Sequence, residues 1–173
     1  MSLKNRAIAA LGAVVVIGAG TVGWSVAHTS HQDKPLNAMV TLTAGTDSTH
    51  SEPTCWNDGK ELDQKAQSNC QARAGVLAKA DKLPALEVSS SDRIGVGVDP
   101  GIAETGWFAF TDGGAQGQAS LATARKASTY SGSVAASTVL KAAANTTVTV
   151  VQADPKSQKI YGVWYFTLKN VDN

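Results

Sequence analysis

The segment "TTVTVVQADPKSQKIYGVWYFTLKN", Thr146 to Asn170, constrains the fold more than any other. Val148, Val150 and Gln152 alternate with Thr149 and Val151. Tyr161, Val163, Tyr165 and Thr167 alternate with Ile160, Gly162, Trp164, Phe166 and Leu168. A period of two sends successive side chains to opposite faces of a strand. The second set is the more apolar, so it is expected to face a core. Asp154-Pro155-Lys156 turns the chain between the two strands.

The same period recurs upstream. "NAMVTLTAG" sets Met39, Thr41 and Thr43 against Val40 and Leu42. "RIGVGVDPG" puts Ile94, Val96 and Val98 on one face and Gly95 and Gly97 on the other. "ETGWFAFTDGG" sets Trp107, Ala109 and Thr111 against Phe108 and Phe110. Asp99-Pro100-Gly101 reads as a turn, which predicts a hairpin with a longer loop between the last two. "STYSGSVAASTVLKAAAN" predicts a strand around Ser128–Tyr130 and a short strand or helical turn near Val139–Lys141. Abundant Ala, Gly, Ser and Thr, with 6% aromatics, also favour short strands and turns. Seven to eight such strands predict a mainly β, Ig-like antiparallel β-sandwich over residues 36–173.

A parallel α/β fold needs helices between its strands, and one candidate exists, from about Gly59 to Lys82. Asn57 or Asp58 is expected to cap it. Leu62, Ala66 and Cys70 recur every four residues as one narrow apolar stripe. Lys79, Lys82 and Pro84 suit its end. So thin a stripe places the helix across a sheet edge or sandwich end.

The N-terminal thirty residues speak to location. After Lys4 and Arg6, the run Ala7–Ala27 carries no charge over 21 residues. A helix of that length reaches roughly 30 Å, a bilayer core. The basic flank predicts a cytoplasmic N-terminus with everything beyond exported. Residues 1–27 are therefore a signal anchor or a signal peptide. Ser25-Val26-Ala27 offers cleavage after Ala27, while the length of the run and Trp24 at its outer end favour an anchor in the cytoplasmic membrane. Residues 28–35, "HTSHQDKP", form a polar spacer. The formal charge of the whole chain is +1; without Lys4 and Arg6, 13 basic residues face 14 acidic ones. With no basic cluster, the exported part is not a nucleic-acid binder.

Cys55 and Cys70 are the two cysteines, an even pair in an exported chain, for which a structural disulfide is the default. A redox pair prefers Cys-x-x-Cys spacing. A closed zinc site needs three or four ligands, and His28, His31 and His50 are the three histidines, two of them in the spacer. No metal or cofactor is expected. Gly-x-Ser-x-Gly, Ser-x-x-Lys and His-Glu-x-x-His motifs are all absent. "GVGVDPG" lacks the spacing of a phosphate loop. No catalytic residue is assigned. Trp107 and Trp164 are expected in the core by their alternation. Trp56 and Tyr165 are the candidates for a partner-facing surface.

"TCWNDGKEL" with Cys70 downstream, "DRIGVGVDPGIAETGWFAF" and "KIYGVWYFTLKN" together resemble an uncharacterised family of exported actinobacterial proteins, many of them lipoproteins. The resemblance implies an exported domain with a cysteine pair and supplies no functional residues. The lipid-bearing cysteine of the lipoprotein members is missing from this sequence. The sequence thus points to a non-enzymatic cell-envelope protein, a binding or structural module or an accessory subunit of a membrane complex. An extracytoplasmic small-ligand binder is the alternative. A secreted hydrolase comes next, and requires His50 in a cleft beside a serine or carboxylate.

Overall fold

The long alternating strand at Ile160–Asn170 organises the larger of two sheets. The computed structural model describes residues 38–141 and 145–172. The leader expected over 1–27, with its expected apolar helix, and the spacer expected over 28–35 lie outside the described residues. In chain order the elements are β1 (Val40–Ala44), β2 (Asp47–Ser51), β3 (Cys55–Trp56), α1 (Gln64–Lys79), β4 (Ala85–Val88), β5 (Arg93–Val98), α2 (Pro100–Thr105), β6 (Trp107–Thr111), β7 (Ala119–Arg125), β8 (Tyr130–Ala135), a 3-10 turn (Ala136–Thr138), β9 (Thr146–Ala153) and β10 (Ile160–Asn170).

The smaller sheet has the order β2-β1-β5-β8. The larger runs β3-β10-β9-β6-β7, with β4 also beside β10. All pairs are antiparallel except β4 with β10. The protein is therefore mainly β and two-layered, as the period of two predicts. The alternating apolar sets meet between the layers. Val40, Leu42, Ile94 and Val96 come from the smaller sheet, and Trp107, Val148, Val150, Trp164, Phe166 and Leu168 from the larger. Burying each such side chain contributes on the order of 1.5–3 kcal/mol.

Three expectations need correction. The described residues hold ten strands, not seven to eight. The strands that no predicted segment covered are the edge strand β2, whose residues "DSTHS" lack any apolar phase, the two-residue β3, the four-residue β4, and β7. There are two α-helices rather than one. And β5 and β6 do not form a hairpin, because they belong to different sheets. Between them α2 carries the chain across. Pro100 suits the first helical turn, where no N–H partner is needed. The Asp99 carboxylate accepts the Met39 N–H at 2.8 Å, and Ile102 and Ala103 plug the end of the core.

β9 is buried along nearly its whole length because both faces of the larger sheet are covered. On the outer side Val151, Ala153, Ile160 and Val163 pack with Leu62 and Cys70 in a second apolar cluster, separate from the first.

Candidate functional site

The two residues of β3 point to opposite faces of the larger sheet. Cys55 stands opposite Val163 and Trp56 opposite Gly162. Cys55 is disulfide-bonded to Cys70 on α1, with a Cα–Cα distance of 5.8 Å. The chain then turns at once. The Lys60 N–H donates to the Asn57 carbonyl at 2.7 Å, and Asp58 and Gly59 have φ of 48° and 73°. Two left-handed central residues are the signature of an Asp-Gly type I′ turn. This turn displaces the expected helix start. α1 begins at Gln64, with the Asp63 carboxylate accepting the Ala66 N–H at 2.7 Å, and ends at Lys79 rather than Lys82. Leu62 of the expected stripe is buried but precedes the helix, and its N–H donates to the Ile160 carbonyl at 2.7 Å.

Trp56 begins a row of directly opposed residues across the larger sheet: Trp56, Gly162, Gln152, Trp107 and Arg125. Opposed residues share a face, and the face is the inner one, since Trp107 is fully buried. Gly162 is obligatory here. A Cβ on it would lie 2.8 Å from Trp164 Cη2 and 3.1 Å from Trp56 Cε3, so its absence lets two indoles close over the backbone. Two other indole N–H groups tie the row's end of the sandwich together. Trp107 Nε1 donates to the Ser128 carbonyl at 2.6 Å, and Trp164 Nε1 to the Ala38 carbonyl at 3.0 Å.

The row is also the polar end of the core. Gln152 is 5% exposed; its Nε2 donates to Thr105 Oγ1 at 3.0 Å, and its Oε1 has no partner in the protein. Arg125 Nη1 reaches the Tyr130 carbonyl at 3.4 Å, while its Nε is unpartnered, as is Trp56 Nε1. Among the described residues, the three buried side-chain polar atoms without a hydrogen bond all belong to this one row. Buried polar groups are ordinarily paired, so their concentration in one row sets this end apart. Chemically the row offers two N–H donors and one carbonyl acceptor. None of its five residues is a nucleophile or a general base at neutral pH.

Tyr165 lies on the opposite face of the same sheet, half-buried in the second cluster. Burial pushes its phenol up to about 12. Beside it the Phe108 and Phe110 rings stack with centroids 6.1 Å apart. Trp56 and Tyr165 therefore do not share one surface. His50 is exposed on β2 opposite Thr41, not set in a cleft. Among the described residues no three His, Cys, Asp or Glu side chains gather to hold a metal ion; His28 and His31 lie outside them. Sequence reasoning missed Arg125 and Gly162 as members of a site. Gln152 did leave a signal, a polar residue in the core phase of β9. Comparison with protein-family models, with curated proteins and with solved structures finds no match to the chain.

Proposed function

We propose that the chain is a non-enzymatic, exported cell-envelope protein whose β-sandwich is a binding or structural module or an accessory subunit of a membrane complex. The observation that carries the reading is the Cys55–Cys70 disulfide, a bond that persists in oxidising compartments. The charge-free run Ala7–Ala27 behind Lys4 and Arg6 supplies a route there, as anchor or as leader cleaved after Ala27.

The strand order supports an Ig-like assignment. β1-β5-β8 faces β10-β9-β6-β7, which is the A-B-E against G-F-C-C′ arrangement of that Greek key. β2, β3, α1 and β4 are then one insertion between the first two strands of the key. Intact mass of the native protein tests export. A chain ending its leader at Ala27 or found in membranes, and about 2 Da lighter than its reduced form, supports it. A full-length reduced chain in the cytosolic fraction sinks it. Copurification from gently solubilised membranes tests the accessory role, and recovery of the protein alone counts against that role.

The row of unpartnered polar atoms favours the second reading, an extracytoplasmic small-ligand binder. Such a ligand would carry neutral groups that both donate and accept hydrogen bonds. Thermal shift against a panel of neutral polyols is the check. A stabilisation that survives Gln152→Leu assigns the binding elsewhere.

A further inference from the structure

α1 is fastened to the sandwich by little packing and one covalent bond. Of its sixteen residues, Cys70 and Ala74 are buried, and Val76 is 67% exposed. The cluster it completes is separate from the one between the sheets. Ion pairs flank it at half-exposed or exposed positions, Lys159 with Glu61 before it and Lys169 with Asp81 after it, each at 2.9 Å. The chain is secured again beyond the helix, where Leu83 is buried and the Pro84 carbonyl accepts the Thr167 N–H.

From this arrangement we propose that the Cys55–Cys70 bond is a redox latch. Its reduction by a dithiol frees α1 from the outer face of β9 and β10 while the two-sheet core stays folded. Cys55 sits half-buried on an outer strand of the larger sheet, whereas Cys70 is 2% exposed, so the entering thiolate meets the Cys55 sulfur. The S–S bond breaks, a mixed disulfide forms at Cys55, and Cys70 leaves as a thiolate that takes up a proton. The second thiolate of the dithiol then attacks the mixed disulfide and releases Cys55. Two electrons pass to the protein, and the dithiol departs as its own disulfide. The freed helix uncovers Val151, Ile160, Val163 and Tyr165. With the half-buried Phe108 and Phe110 these form one apolar face over three strands, of which the oxidised protein presents only part.

Hydrogen exchange of the full chain before and after dithiothreitol tests the latch. Reduction is expected to speed exchange of the amides of residues 64–79 by about ten-fold or more and leave β5, β6 and β9 protected. Ionisation of Tyr165 should move to lower pH in the same sample, and reoxidation should reverse both changes. Retention of α1 protection after reduction overturns the proposal. So does loss of protection across β5, β6 and β9 together, because the bond would then hold the whole fold. The reduced wild-type chain supplies the result even where the Cys55→Ser, Cys70→Ser double variant does not fold.

Discussion

The two apolar clusters share β9 and β10 as a common wall and are closed in different ways. On the inner side the opposite wall is a second sheet. Trp107, Trp164, Phe166 and Leu42 are fully buried there, and indole N–H groups tie both layers. On the outer side the opposite wall is a helix that buries two side chains and is held by a disulfide. The inner cluster needs no covalent help because each strand brings several apolar residues in register. The outer one has a single narrow stripe, and the bond supplies what area does not.

That contrast orders the effects of substitutions. Trp107→Ala should be the largest, about 4 kcal/mol, since it empties a fully buried indole and removes the 2.6 Å bond to Ser128. A urea midpoint that barely moves would place the stability outside the inner cluster. Gly162→Ala comes next, at about 2 kcal/mol, because its methyl must displace Trp164 and Trp56. Changed tryptophan emission alongside the midpoint would locate the crowding.

The outer cluster should answer to pH. The Tyr165 phenol is raised to about 12 by burial, so between about pH 10 and about 12 the unfolded chain has lost this proton and the folded chain keeps it. The folded state then binds more protons, and its stability falls as pH rises through that window, by up to about 2 kcal/mol after solvent screening. Tyr165→Phe should remove this slope in unfolding measurements; an unchanged slope would assign it to another group. Asp63→Ala should be the smallest, about 1 kcal/mol from the lost cap. It should show as faster amide exchange in α1 alone.

The faces of β1, β5, β6 and β10 were legible because each alternates over at least four residues. β2 was not, since an exposed edge strand such as "DSTHS" carries no core phase. Asp99-Pro100-Gly101 misled because the same residues open a turn or a short helix, and burial of Ile102, the next residue, decides between them. Asn57 and Asp58 looked like helix caps, but Gly59 beside them draws Asp58 into a left-handed turn. Of the row on the inner face, Gln152 alone leaves a local signal, a polar residue in the core phase of β9. The ends of the row, Trp56 and Arg125, come from 96 and 27 positions away, and only strand pairing sets them in line with it. Periodicity is local and carries no such information.

β3 has a consequence for how the chain reaches this arrangement. A strand of two residues specifies its own alignment weakly, and a slip of one position against β10 exchanges its faces. Trp56 would then turn outward and Cys55 inward, beyond reach of Cys70. Oxidation succeeds in the alignment that also seats the indole over Gly162. The sulfur bond therefore ties the threading of β3 to its oxidation: closing it requires the same alignment that places Trp56 opposite Gly162.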